Sequence, residues 1–369
     1  MLRILTIVLA VLTGIHGLIH LMGFAAYWPL AKINELPYKT SLLAGRLEVG
    51  MAGMRVFSFL WLLATLGFVI AAIALALGKS NWAPLMLGAA LLSIVLCTLD
   101  WSAAFRGALI DVFFLLVLAM VFGLRMQPAP FRPYTGLPAP LITSPIPAGL
   151  PVPVERFYRM RHGDEVPEYH SAVVSMRGTL RFMGITFPAR LRFSHIAGQD
   201  YRHYIEATFY GYPVMKVNEH YLGGHSRLEL PFGVVENDPK VDSAANQGLW
   251  AETFAFFPAV ILTDGRVRWE PVDENTAKAY VPFGESEQVF TVQFDPQTGY
   301  LRGMETLRYR DQKVGTIRWR TELMRGENSN EPIQISATWE DEATPWMVVE
   351  IEETVFNTDL TEYILPTGQ

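Results

Sequence analysis

Two hydrophobic rhythms divide the chain. Up to about residue 125 apolar residues run together in long blocks, and beyond about residue 171 they alternate with polar ones at a period of two. The blocks cover roughly 4–27, 56–78, 82–100 and 106–124. Each approaches the roughly 20 residues needed to cross a bilayer. Trp28, Trp82 and Trp101 fall at block ends, where interfacial aromatics sit. The pattern predicts an α-helical four-span membrane bundle over 1–127. Arg3 ahead of an apolar core imitates a signal peptide, but the stretch is too long and three more follow, which predicts an uncleaved anchor.

Residues 128–153 carry nine prolines and no helical period, which predicts a Pro-rich, extended linker. "VERFYRMRHG" (154–163) reads as a short amphipathic helix opening a second domain, 154–369. "EQVFTVQFD", "TIRWRTELM" and "IQISATWE" then alternate strictly, separated by turn signals at Gly223-Gly224, Asp264-Gly265, "DPQTG" and "DQKVG". Short connections between alternating strands predict a mainly antiparallel β domain with one apolar face.

The cover for that face is legible in "AANQGLWAETFAFFPAVILTDGRVRWEPVD" (244–273). Trp250, Phe254 and Phe257 fall on one helical stripe, Asp242 or Ser243 can cap its start, and Pro258 follows its end. The expectation is an aromatic helix near 243–257 under a curved sheet or half-barrel, followed by a hairpin of "AVIL" and "RVRWEPVD". Glu252, opposite Trp250 on the wheel, is expected in a salt bridge or exposed.

Charge changes the picture in two ways. Up to Arg125 there are 8 Lys+Arg against 4 Asp+Glu, whereas the remainder carries 22 against 32. So acidic a soluble part argues against nucleic-acid binding, which needs clustered positive charge. Four spans place both ends on one side of the membrane. That side has Arg3, Lys79, Arg125 and Arg132, and the other has Lys32, Lys39, Arg46, Arg55 and Arg106. The small excess predicts a multi-pass protein of the cell membrane with an extracytoplasmic C-terminal domain. In the β domain, basic residues lead over 302–325 and only acidic ones follow Arg325, so adjacent strands are expected to pair these rows.

Candidate chemistry is sparse. His16 and His20 share one face of the first span, with Asp111 in the fourth and Asp100 at the end of the third. The expectation there is interhelical hydrogen bonding rather than a metal or haem. Six of the eight histidines lie between 162 and 225, yet no His-x-His or Cys pair makes ligands converge. No metal and no cofactor is therefore expected. The lone Cys97 permits no intrachain disulfide, no G-x-S-x-G elbow occurs, and Gly223-Gly224 lacks the Lys-Ser/Thr of a phosphate loop.

"HGLIHLMGF" and "LWAETFAFFPAVI…VRWEPVD" together resemble a bacterial family of uncharacterised membrane proteins, whose soluble part is domain of unknown function 6544. The resemblance covers about 155–325 and brings no catalytic residue. The strand pattern is also similar to lipoprotein-carrier folds, a curved antiparallel sheet over a helix. The leading expectation is thus a membrane-anchored binding module for a lipid or other apolar ligand, partnered by the bilayer. Trp250, Phe254, Phe257, Trp269, Phe290 and Phe294 would line it, and Arg202, Glu206, Lys216 and Asn218 would anchor it. The alternative is an enzyme acting on a lipid or envelope precursor, with His203, Glu206 or Glu219 as acid/base.

Overall fold

The computed structural model describes residues 2–310, 315–325 and 332–360. It divides into two compact units, residues 1–122 and 123–369. The first unit holds four helices long and apolar enough to cross a membrane: α1 (Leu2–Tyr27), α2 (Gly50–Ala76), α3 (Trp82–Leu99) and α4 (Trp101–Gly123). Outward side chains such as Ile4, Val56, Leu109 and Leu116 are exposed hydrocarbon, which a bilayer accommodates and water does not. Gly17 and Gly23 let α1 approach α2 closely, because a Cβ there would meet Phe68 Cβ at 2.7 Å and the Trp61 ring at 2.4 Å. A two-residue ladder, β1 (Ser41–Leu42) with β2 (Leu47–Glu48), closes the α1–α2 connection.

The second unit begins with β3 (Ile142–Pro145), α5 (Val152–His162) and β4 (Glu165–Glu168), β3 pairing with β4. One antiparallel half-sheet follows: β5 (Ser171–Phe182), β6 (Ile185–Ile196), β7 (Asp200–Phe209), β8 (Tyr212–Leu222), β9 (His225–Leu230) and β10 (Gly233–Glu236). Then come α6 (Pro239–Phe256) and α7 (Ala259–Thr263). The other half-sheet is β11 (Arg268–Asp273), β12 (Thr276–Phe283), β13 (Ser286–Phe294), β14 (Leu301–Tyr309), β15 (Thr316–Arg325), β16 (Pro332–Trp339) and β17 (Met347–Phe356). Each half is a meander, and β17 pairs antiparallel with β5 to join them into a 13-stranded sheet. At that seam Gly178 faces Val349, and a Cβ on Gly178 would lie 2.0 Å from the Val348 carbonyl oxygen.

The sheet must bend. α6 packs against β8 and β9 of one half and against β12, β14 and β16 of the other. In a flat sheet β9 and β12 would stand ten strand spacings apart, about 48 Å, and an 18-residue helix is about 27 Å long. Only a sheet curled over α6 lets one helix touch both. It remains open, with β10 and β11 as its edges. The core lies between sheet and helix, built from Trp250, Phe254 and Phe257 against residues such as Leu191, Phe290 and Val292.

Three expectations need correction, and a fourth falls outside the described residues. α6 starts at Pro239 on an Asp238 cap, whose carboxylate accepts from the Lys240 and Val241 amides, so neither Asp242 nor Ser243 is the cap. The "AVIL" segment is the helical turn α7, because the helical backbone of Pro258 restarts a helix instead of opening a strand. The proline-rich segment is not a free spacer, since β3 pairs with β4 and Phe131 lies under the Arg190 and Arg192 guanidiniums at 4.5 and 4.9 Å. Arg190 and Arg192 also donate to the Ala129 and Arg132 carbonyls. The "DQKVG" turn lies largely outside the described residues.

Candidate functional site

The β6–β7 hairpin turns at Ala197–Gln199, with Gly198 in the left-handed region at φ +63°. Its register sets His195 opposite Tyr201 and Phe193 opposite His203. Alternation then places all four side chains on the face toward α6. α6 returns Glu252 to this face. Glu252 Oε2 lies 2.8 Å from His203 Nε2 and 3.0 Å from His195 Nε2. His203 is sandwiched between Phe193, at 3.8 Å between ring centres, and Tyr201, at 3.9 Å. On the far side of the ring His203 Nδ1 stands 3.6 Å from Glu219 Oε2, and the Tyr201 hydroxyl donates to Glu219 Oε1 at 2.6 Å.

Burial and pairing oppose each other in this cluster. Burial pulls the His203 pKa down, but the Glu252 and Glu219 carboxylates overcome it and raise the value to about 9. Burial pushes Glu252 up, yet the two imidazoles outweigh it and bring it to about 2. His195 is fully buried, and burial holds its pKa below the ordinary value despite Glu252. Burial also drives the Tyr201 hydroxyl well up, which keeps it a donor to Glu219. His203 and Glu252 therefore form a charged pair beside a neutral His195. Glu252 is in a salt bridge, as its place opposite Trp250 suggests.

The expected site residues are distributed differently. Trp250, Phe254, Phe257, Phe290 and Phe294 are buried in one interlocked core, and half-buried Trp269 meets Phe254 edge-on at 5.9 Å. Arg202, Glu206, Lys216 and Asn218 belong to the opposite face of β7 and β8. There Arg202 donates to Asn218 at 3.1 Å, and Glu206 pairs with Arg190 at 2.6 Å and Lys216 at 3.7 Å. Of the acid/base trio, His203 and Glu219 meet, while Glu206 is turned away from both by strand alternation. His220 stands opposite Arg202, apart from the cluster. Sequence reasoning missed His195. The signal was the hairpin centred on Gly198, which puts residues 195 and 203 on one face.

Among the cavities elsewhere in the unit, two share a wall residue. One of about 550 Å³ is lined by Ile196, Val260, Leu262, Tyr169, His170 and Arg266, among others. Asp264 sits in its wall, paired with Arg266, whose neighbouring guanidinium outweighs burial and holds the carboxyl below its usual range. The other, of about 480 Å³, is a more open groove along Pro138, Leu141, Val355 and Phe356. Tyr169 lines both and stacks on Phe356 at 4.2 Å.

In the helical unit, His16 Nε2 bonds Asp111 Oδ1 at 2.9 Å, and His20 Nε2 bonds Ser93 Oγ at 2.6 Å. Ser93 donates to Asp111 Oδ2 at 2.6 Å, which closes the network. Asp100 accepts from Tyr27 and pairs with Lys39. These are the interhelical hydrogen bonds expected from the sequence.

Parts of the chain align with solved structures. A LolA superfamily protein, NE2245 from Nitrosomonas europaea, aligns at 11% identity and a TM-score of 0.35, covering 58% of this chain and 96% of its own. A putative outer membrane lipoprotein-sorting protein domain from Vibrio parahaemolyticus aligns at 14% identity and 0.32, over 57% and 93%. A DUF1329 family protein from Desulfovibrio piger ATCC 29098 gives 14%, 0.33, and 58% and 96%. No curated protein matches the chain. A family model matches residues 140–351, a wider span than the motifs alone suggest, and the chain belongs to that family of unknown function, DUF6544.

Proposed function

We propose that the protein is a membrane-anchored module that binds an amphipathic lipid or similar apolar ligand. The observation that carries this reading is the pair of cavities sharing Tyr169. One offers Arg266, Asp264 and His170 beside apolar side chains, and the other is walled by Pro138, Leu141, Val355 and Phe356. Their volumes, about 550 and 480 Å³, fall in the range of small-molecule sites. A polar head would occupy the first and an acyl part the second. Leu141 is just over half exposed, so its hydrocarbon has surface to gain by covering. The proposed occupant thus moves from the aromatic core, which is filled, to the outer flank of β17 and α7. The charge bias around the spans supports an extracytoplasmic position for this unit.

The test is native mass spectrometry of the full-length protein in detergent. Wild type should retain a lipid that Leu141→Asp and Tyr169→Ala lose, while the thermal midpoint of the Leu141 variant stays unchanged. No retained lipid in wild type, or equal retention in both variants, would overturn the reading. Lipid held only by the apolar helices gives the second result. The acid/base alternative is weakened by the position of Glu206, and neither His203 nor Glu252 lines either cavity.

A further inference from the structure

We propose that His195, His203 and Glu252 form a binding site for one divalent transition-metal ion of the zinc class, tying α6 to the β6–β7 hairpin. Three separate elements deliver the donors, and one nitrogen or oxygen from each lies within 4.8 Å of the others. Two histidines and one carboxylate are a ligand set that zinc accepts, with a fourth position left for water.

The second observation is the state of His195. The ring is completely buried, and neither Nδ1 nor Nε2 makes a hydrogen bond among the described residues. Nε2 points to Glu252 Oε2 at 3.0 Å, but outside hydrogen-bond geometry. A buried polar atom without a partner costs roughly 1–3 kcal/mol, so an imidazole placed here only for packing is a poor choice. Ligands bound tetrahedrally at 2.0–2.1 Å stand about 3.3 Å apart. Glu252 Oε2 is hydrogen-bonded to His203 Nε2 at 2.8 Å and lies 3.0 Å from His195 Nε2, so a shift of about 0.3–0.5 Å would admit a shared ion. The outer shell also fits. A metal-bound histidine commonly gives its other ring nitrogen to a carboxylate. His203 Nδ1 faces Glu219, and the Tyr201 hydroxyl holds Glu219 in place.

The bundle cluster of His16, His20 and Asp111 has comparable spacing but differs in one respect. There His20 Nε2 already bonds Ser93, a residue outside the trio, whereas His195 Nε2 makes no hydrogen bond. That makes it an internal control. The probe is cobalt(II), added to chelator-stripped full-length protein in detergent and followed by visible absorption and by elemental analysis after desalting.

Wild type should bind one equivalent with a tetrahedral-type spectrum and a raised thermal midpoint. Glu252→Gln and His195→Asn should lose the spectrum and bind at least tenfold more weakly. The double variant His16→Gln, His20→Gln should bind like wild type. Circular dichroism of each variant at low temperature reports whether the sheet is intact, and His203→Gln provides a third, independent ligand deletion. Three results would overturn the proposal: no stoichiometric cobalt in wild type, full binding by folded Glu252→Gln, or loss confined to the bundle variant. In the first two the trio is only an ion pair between helix and sheet. Lipid retention is read separately, so the two proposals fail independently.

Discussion

Replacing Gly178 with alanine probes the seam on which the whole sheet depends. Among the described residues, β5 and β17 are the one pairing that joins the two meanders. The new Cβ would sit 2.0 Å from the Val348 carbonyl oxygen, 2.7 Å from Val349 Cα and 2.9 Å from Val348 C. All three are backbone atoms of the partner strand, so no rotamer change relieves the contact. A carbon and a carbonyl oxygen tolerate about 3.3 Å at closest, so the strands must part by roughly 1.3 Å. That separation breaks the flanking ladder hydrogen bonds, at a net cost of about 1 kcal/mol each, and adds the 1–3 kcal/mol typical of overpacking. A total near ~3 kcal/mol follows, which for a unit of this size lowers the thermal midpoint by about 6–12 °C. Gly265 is the control. A Cβ there meets nothing within 4 Å, and Gly265→Ala should move the midpoint by no more than about 2 °C. The assay is thermal unfolding of the purified protein followed by circular dichroism in the strand region. A Gly178→Ala protein that melts with wild type would show that the seam is not as tightly closed as described.

Three further outcomes are expected. Trp250→Ala, Phe254→Ala and Phe257→Ala should all destabilise by about 3–5 kcal/mol in denaturant titration, because all three side chains are fully buried. A single member costing under 1 kcal/mol would reveal a ligand cavity beside it. Residues 123–369 expressed alone should melt cooperatively and at a higher temperature than residues 154–369, which lack β3 and Phe131; identical midpoints would mean the proline-rich segment contributes nothing. Arg266 depresses the Asp264 pKa below 3.8, so this pair stabilises the fold above that pH and ceases to do so as pH falls through the lowered value. Arg266 is half exposed, which limits the effect to under about 1 kcal/mol. The difference between wild type and Asp264→Asn should vanish in acid, and a difference that grows there would refute the sign.

The two rhythms of the chain were enough to place the helices and most strands, because each period follows directly from backbone geometry. α3 begins at Trp82 and α4 at Trp101, both marked by the aromatic itself. What escaped was decided by tertiary contact. "AVIL" reads equally as strand or helical turn, and the choice fell to Pro258 and the packing of α7 on β4. The aromatic stripe was identified, but a pattern cannot distinguish a filled core from a lined cavity, since both need the same residues. The cluster needed two facts from different places. Hairpin symmetry about Gly198 would have paired His195 with His203, but nothing in the sequence says which strand covers the Glu252 side of α6.

An open sheet offers its outermost strands to any neighbour. The two edges answer this in different ways. β10 is only four residues long, Gly233 to Glu236, too short to template a stable pairing. β11 carries Pro271, which cannot donate to an incoming strand, and a register break just beyond it. Arg268 on the same strand is clasped by Glu270 and Glu287, so any added strand would have to cross a rim of fixed charges. Curling over a helix instead of closing into a barrel leaves two vulnerable margins, and this chain defends one by brevity and the other by a proline and charge. Lengthening β10 or replacing Pro271 would turn a protected sheet into a seed for edge-to-edge aggregation.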